Sequence, residues 1–462
     1  MHNFVGYLFY LLRSALFPAA LATLACAGLL AVSYQMFQRK YKGAKKYPWS
    51  RDVLSLLLVG YLSILIFVTL FRTTEGRFAS PINFHLFRAF WEAWNAFTLQ
   101  RWLNPLLNVA VFVPLGILLP LMSKPFRRWY VVLVVGLGSS FLIEAAQFQM
   151  ARGTADVDDL FANTLGTMLG YCLCMSAISL LERKWRTTAL FAILPVLSIA
   201  ALAGVFVAYY IQPYGNLAQA PAYKVNTKDV AWVLECDLSS EANTAGIYWV
   251  QPFDRASCAN FGEEFAQRIG ADFSDVSYYD NTTTFMDHTA GYFLDVDLSD
   301  RSYSYSGPAV FEGGFVEIGE EDLKTALLSF EIDVPDGAEL SYEGRGWHQF
   351  QTRSIIDGGT LTTGTLRCQV AESGEIARLE SSLATCDLKA EEPIISEAEA
   401  YDRLCQGKFS NGDYFEYISP KEVHVQSCTL GYVSDTKGFR QPVYLFELEE
   451  LDSTVFVSAR SS

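Results

Sequence analysis

The sequence predicts an α-helical polytopic membrane bundle of six spans followed by an acidic α+β extracellular domain. Apolar runs close to the roughly 20 residues that a bilayer requires recur at about 16–37, 52–71, 105–122, 129–149, 160–180 and 188–211, and then stop. Charge changes sign at the same place: 18 Lys and Arg stand against 8 Asp and Glu up to Ile211, and 17 against 42 after it. Beyond Ile211 the apolar runs shorten to strand length and turn residues separate them. A chain of 462 residues is too long for one ordinary domain, so the expected division is 1–211 and 212–462.

The spans are oriented by the segments between them. Arg39-Lys40-Tyr41-Lys42 through Lys46, Lys124-Pro125-Phe126-Arg127-Arg128 and Arg183-Lys184-Trp185-Arg186 follow the first, third and fifth spans, and each is short and basic. The positive-inside bias places all three in the cytoplasm, with both chain ends outside, and gives their Lys and Arg a second role against anionic lipid. Phe4 to Arg13 precede the first run and no small-residue cleavage site follows it, so it reads as a retained span. In the first outer loop, about 72–103, Phe84, Phe87, Phe90, Trp91, Trp94, Phe97 and Trp102 recur near helical spacing. That pattern predicts an amphipathic aromatic helix at the outer interface, acting as an anchoring belt or as a lid over a lipid head group.

The fourth and fifth spans carry polar side chains that hydrocarbon disfavours, and ionisable groups at membrane depth mark either a functional site or a buried pairing network. Gly136, Ser140, Glu144 and Gln147 form one stripe at helical steps; Asp156, Asp159, Asn163, Gly166 and Gly170 form another, with Asp158 off it. Gly166 and Gly170 make a GxxxG pair that admits a close neighbour, so the two stripes are expected to face each other, with Gly116 on the third span as a further packing glycine. Asn104 and Asn108 open the third span one turn apart. At about 1.5 Å per residue, Glu144 lies about 9 Å below the loop at 150, and Asn108 and Asn163 lie at similar depth. Two readings stand side by side. In one, Arg152 pairs with Glu144 or Asp159 and the amides pin the bundle. In the other, Asn104, Asn108, Glu144, Gln147, Arg152, Asp156, Asp159 and Asn163 receive a polar head group.

Three stretches together resemble the VanZ-like membrane family: Asn104-Pro105-Leu106-Leu107-Asn108 through Pro114-Leu115-Gly116, then Glu144-Ala145-Ala146-Gln147, then Arg152 with Asp156-Val157-Asp158-Asp159-Leu160-Phe161-Ala162-Asn163-Thr164-Leu165-Gly166. The resemblance covers about residues 16–180; at Asn83-Phe84-His85-Leu86-Phe87 the family's frequent proline is missing. It implies a link to low-level resistance to the glycopeptide teicoplanin. Its implied partners are membrane lipids and a lipid-linked wall precursor or a lipoglycopeptide, held at the outer leaflet. Two other functions remain open: a membrane enzyme on a lipid-linked substrate, with Glu144, Asp156 and Asp159 as acid/base or metal groups, and an envelope sensor whose outer domain binds the ligand.

In the acidic half, Ala231 to Cys236, Gly246 to Val250 and Gly291 to Asp297 read as strands, Glu320 to Ser329 as a helix, and Ser396-Glu397-Ala398-Glu399 as a capping box opening a helix to Lys408. Two subdomains divided near Val334-Pro335-Asp336-Gly337 are expected. The helix from Ser396, strands at Val423 to Val433 and the run Gln441-Pro442-Val443-Tyr444-Leu445-Phe446 resemble outer regulatory modules of the YycH/YycI or PepSY type, which implies an envelope protein partner. Cys236, Cys258, Cys368, Cys386, Cys405 and Cys428 are even in number and could form three disulfides in an oxidising compartment. His288, His348 and His424 lie far apart and no HExxH, paired CxxC or GxSxG occurs, so neither a metal nor a cofactor is expected. Glycines at 313–314 and 358–359 read as turns. Nucleic acid is excluded, since topology already explains the basic clusters.

Overall fold

A computed structural model describes residues 2–41, 49–70, 85–150, 156–217, 224–279, 281–311, 314–328, 330–410, 415, 418–451 and 453–461. They form two compact units, a membrane unit of 2–90 and 99–212 and a C-terminal unit of 91–98 and 213–462. The architecture is a helical membrane bundle followed by an α+β domain.

In the membrane unit α1 is His2–Tyr41, α2 Trp49–Leu70, α4 Leu99–Met122, α5 Trp129–Gln149, α6 Val157–Leu181 and α7 Trp185–Ile211. All six contain apolar stretches long enough to cross a bilayer, so this is a multi-pass membrane protein. α4 starts at Leu99, six residues before the expected run, which puts Asn104 inside the helix. Among its described residues the aromatic segment is helical as α3, Arg88–Ala96, bounded by Phe87 and Phe97 at positive φ (70° and 42°), and again from Leu99, where α4 takes in Trp102. Asn83 and Phe84 lie outside the described residues. From Trp91 onward α3 groups with the C-terminal unit, where Asn216 Nδ2 donates to the Trp94 carbonyl at 2.6 Å.

α6 packs against α4, α5 and α7. Lipid tails are as apolar as leucine, so helices gain little from hydrophobicity and must pack closely instead. A Cβ on Gly166 would stand 2.0 Å from the Val109 carbonyl oxygen, one on Gly170 2.0 Å from that of Val113, and one on Gly116 1.9 Å from that of Thr167. The GxxxG pair therefore serves α4, which runs parallel to α6, and not α5 as the facing-stripe reading has it. From α5 it is Gly136 that approaches α6, with the Thr167 side chain 3.0 Å from where its Cβ would be.

The C-terminal unit is built on one 15-stranded sheet among the described residues. Its first part holds β1 (Ala231–Leu234), β2 (Asn243–Trp249), α8 (Arg255–Ile269), β3 (Asp275–Tyr279), β4 (Thr282–Asp287), β5 (Tyr292–Asp297) and β6 (Tyr303–Ser306). Next come β7 (Phe315–Val316), α9 (Glu320–Leu328), β8 (Glu339–Tyr342), β9 (Trp347–Asp357), β10 (Thr360–Ala371), β11 (Ile376–Ser381) and β12 (Ala384–Ile394). α10 (Glu397–Cys405), β13 (Glu422–Ser434), β14 (Phe439–Leu448) and β15 (Ser453–Ser458) complete it. The strand order is β1-β13-β14-β2-β12-β10-β11-β6-β5-β4-β3; β1 runs parallel to β13 and the other pairings are antiparallel. β9 turns into β10 through Gly358 and Gly359, both at positive φ (55° and 88°), which a two-residue hairpin of matching twist requires. Gly313 lies outside the described residues.

One core gathers Leu404, Val423, Val425, Phe446 and Val455; a second gathers Phe265, Phe285, Leu294, Phe350, Leu366 and Leu379. Val334 and Ala338 both pack on the second, so the turn near 335 does not divide two cores. The disulfide expectation is corrected as well: Cys236, Cys258, Cys368, Cys386, Cys405 and Cys428 are all free thiols. Cys368 faces His348 and Leu379 across the ladders, Cys386 faces Leu361 and Cys428 faces Phe446, so strand register pairs none of these three with a cysteine. Burial pushes the Cys368 thiol up to about 12, leaving an inert small hydrophobe. α8 is a helix the sequence reading missed; Asp254 caps it in a reciprocal box with Ser257, and Gly270 ends it at φ 69°.

Two outcomes follow from this packing. Gly166→Ala and Gly170→Ala should each cost about 1–3 kcal/mol or more by forcing α4 and α6 apart, lowering the melting midpoint of the full chain in detergent. Gly138→Ala and Gly204→Ala, where a Cβ meets open space, should not lower it. In the C-terminal unit the Asp287 carboxylate accepts the N–H groups of Ala290, Thr289 (each 2.9 Å) and Asp272 (3.1 Å), and these hold its pKa below the ordinary 3.8. A depressed carboxyl stabilises the fold above its ordinary pKa, and the contribution is lost as pH falls through the folded value. Asp287→Asn should therefore lower the melting midpoint at neutral pH and flatten its fall below about pH 4.

Candidate functional site

The site lies at one end of the membrane unit, where α4 and α6 begin and α5 ends. Arg39, Lys40, Lys124, Arg127, Arg128, Arg183, Lys184 and Arg186 stand at the opposite ends of the helices. α6 starts with Asp156 as N-cap in an extended conformation; its carboxylate accepts the Asp158 N–H at 2.9 Å. Acids in a first helical turn meet free N–H groups and the positive end of the dipole, which is why the run Asp156, Asp158, Asp159 opens a helix here.

Glu144, Asn108, Asn163 and Gln147 each find a partner, whereas the buried Thr164 hydroxyl has none among the described residues. Glu144, only 7% exposed on α5, accepts the Asp156 backbone N–H through Oε2 at 3.2 Å. Asn108 Nδ2 on α4 donates to Asp159 Oδ1. Asn163 Nδ2 donates to Ser140 Oγ on α5 at 3.0 Å, and Thr167 Oγ1 donates to the Asn163 carbonyl at 3.0 Å. Gln147 leaves the stripe and donates through Nε2 to the Thr69 carbonyl on α2 at 2.9 Å. Asn104 is exposed and joins none of these bonds. Arg152 lies outside the described residues.

Asp158, which falls off the predicted stripe, is the most buried acid of the group at 2% exposure. Its two oxygens accept the backbone N–H groups of Phe87 and Ala89, the latter at 2.7 Å, across some 70 residues of sequence. Phe161 of α6 meets Phe87 and Phe90 edge-on, with ring centroids 5.1 Å and 6.4 Å apart. An aromatic layer thus lies beside the acids, fixed by one of them. No sequence pattern in the Asp156–Asp159 run distinguishes the acid that does this from its neighbours.

Chemically, Glu144, Asp156 and Asp159 are hydrogen-bond acceptors on three turns of two helices, with the amides of Asn108 and Asn163 as donors beside them. Residues 57–181 match the VanZ/LLP1 family model. This stretch is a VanZ/LLP1 domain. It runs from within α2 to the end of α6 and contains every described residue of the polar end, Asn163 with Ser140 and Thr167 included. α1, α7 and the C-terminal unit fall beyond the match. A comparison with curated proteins finds no match.

Two solved structures overlap the chain. One is an uncharacterized protein from Eubacterium rectale ATCC 33656, 9% identical, covering 51% of this chain and 90% of its own, with a TM-score of 0.25. The other is the Bacillus megaterium YpeB C-terminal domain, 11% identical, covering 46% of this chain and 95% of its own, with a TM-score of 0.21. At such scores the C-terminal unit is read from its own strands.

The bonding pattern separates two acids in their effects. Asp158→Asn turns an acceptor into a donor facing two N–H groups, and should cost about 1–3 kcal/mol. It should also speed amide exchange at 87–89. Ser140→Ala leaves the Asn163 amide short of one acceptor and should destabilise the VanZ/LLP1 domain without changing exchange at 87–89.

Proposed function

We propose that the VanZ/LLP1 domain holds the polar head of a cell-envelope amphiphile at its acid and amide end, and that this handling underlies tolerance to teicoplanin. The observation that carries the proposal is the convergence of Glu144, Asp156, Asp159, Asn108 and Asn163 from three helices at one end of the bundle. Ionisable groups there are expensive, and each needs compensation that a merely apolar anchor would not require.

The positive-inside bias supports an outward-facing site: the basic ends of the helices belong in the cytoplasm, which puts the acid end in the outer leaflet and the C-terminal unit, after α7, outside the cell. A lipid-linked wall precursor and a lipoglycopeptide share the chemistry that such a site suits, polar groups joined to an acyl chain. The acceptors meet hydroxyl and amide hydrogens of the head, while the inner turns of the helices are apolar enough for the chain. The acidic C-terminal unit serves as a ligand-binding or partner-binding module for the same envelope material, and no reaction is required of either unit.

The test is drug susceptibility in a sensitive Gram-positive host expressing the intact chain, Glu144→Gln, Asp159→Asn or the chain ended after Ile211, at matched membrane levels. Glu144→Gln keeps an oxygen for the Asp156 N–H while removing the ionisable carboxyl. The expected result is protection against teicoplanin and not vancomycin, lost in both point variants. An intact, well-expressed chain that alters susceptibility to neither drug contradicts the proposal.

A further inference from the structure

In the C-terminal unit one histidine stands among four carboxylates that come from three separate stretches of chain. His424 lies on β13; Glu422 is two residues before it on the same strand, Glu235 follows the last residue of β1, and Glu449 and Glu450 open a short 3-10 turn after β14. Parallel pairing of β1 with β13, Leu234 beside Val425, delivers Glu235 to the histidine from 189 positions away. The imidazole Nδ1 is 2.7 Å from Glu235 Oε1, and Nε2 is 3.0 Å from Glu422 Oε1 and 3.9 Å from Glu450 Oε1. Glu450 Oε2 also accepts the His424 backbone N–H at 2.9 Å.

A histidine nitrogen and one oxygen each from Glu235 and Glu449 lie within 4.8 Å of one another. Ligands about 2.0–2.2 Å from a Zn²⁺ ion stand roughly 3.3–3.6 Å apart in a tetrahedron, so modest side-chain rotation closes the three onto one ion. The imidazole can supply at most one positive charge against four carboxylates, and a divalent cation relieves that repulsion. The histidine distinguishes this set from an ordinary acidic surface: a nitrogen donor with carboxylates suits a Zn²⁺-class ion, whereas Ca²⁺ prefers oxygen alone.

We propose that Glu235, His424 and Glu449 form a divalent-metal site, selective for Zn²⁺-class ions over Ca²⁺, with Glu422 orienting the imidazole. A cation shared by Glu235 and His424 replaces the hydrogen bond at Nδ1 and leaves Nε2–H donating to Glu422, the carboxylate–histidine–metal arrangement that fixes ring and tautomer. His424 is 28% exposed and Glu235 44%, so an ion reaches the site from solvent. Once bound it ties β1 to β13 and to the turn after β14.

The test uses the full chain in detergent, stripped with EDTA and titrated with Zn²⁺ and, separately, Ca²⁺ by calorimetry and thermal melting. The expected result is one Zn²⁺ per chain that raises the melting midpoint, bound at least about ten-fold more tightly than Ca²⁺ and weakened at least about ten-fold in His424→Ala and in Glu449→Gln. Glu263→Gln, on α8, should bind as the parent does. Glu449→Gln is nearly isosteric in an exposed turn, which keeps one variant folded. Wild-type Zn²⁺ affinity in either folded variant, Ca²⁺ binding as tight as Zn²⁺, or no binding up to about 1 mM, the weak end of protein–cation sites, overturns the proposal.

Discussion

The backbone contact between α4 and α6 fixes the rest of the membrane unit. Gly166 and Gly170 present no side chain, so the carbonyls of Val109 and Val113 come to where a Cβ would otherwise stand, and Gly116 admits the Thr167 carbonyl in return. With the two helices parallel and this close, Asn108 has Asp159 in reach, and α6 turns its Asn163 side toward Ser140 on α5. Widening the contact by the width of a methyl group would break the first pairing directly and shift the second. The glycines act at a distance from the acids, yet they set the acids' geometry.

Several carboxylates at one end of a membrane helix bundle need compensation, and the structure shows what supplies it. Backbone N–H groups serve Glu144 and Asp158, an amide serves Asp159, and the free N–H groups of a helix start serve Asp156. This end of the bundle is rich in hydrogen-bond acceptors, which supports the proposed recognition of a hydroxyl- and amide-bearing head group. Asp158 places its two oxygens on the entry to α3 and so supports this end of the bundle.

How much of this could be read from the sequence depended on how local the cause was. The six spans, the GxxxG pair, the Ser396 cap of α10 and the β9–β10 turn are local in cause and were legible, with α4 extending a turn and a half further than apolarity alone suggested. The partner of the GxxxG pair was not, because helical spacing shows that a face is small without showing what covers it. Gln147 bonding to Thr69, Asp158 to Phe87 and Ala89, and His424 to Glu235 each join residues tens to nearly two hundred positions apart, and no spacing rule reaches that far. Cysteine parity misled for a related reason: pairing needs register, and for the three strand cysteines the ladders place Leu361, His348 or Phe446 opposite the thiol. α8 escaped notice because its box is Asp254 with Ser257 and not the commoner Ser or Thr with Glu.

The central claim is that the acid end of the bundle faces the outside of the cell, and a membrane-impermeant maleimide tests it most directly. Single cysteines at His85, Glu182 and Ser461, exposed positions at the acid end, the basic end and the C-terminal unit, would be introduced into a chain whose nine cysteines are replaced. The account predicts that His85→Cys and Ser461→Cys react in intact cells and that Glu182→Cys reacts only after permeabilisation. Labelling of Glu182→Cys in intact cells, with His85→Cys protected, would contradict it.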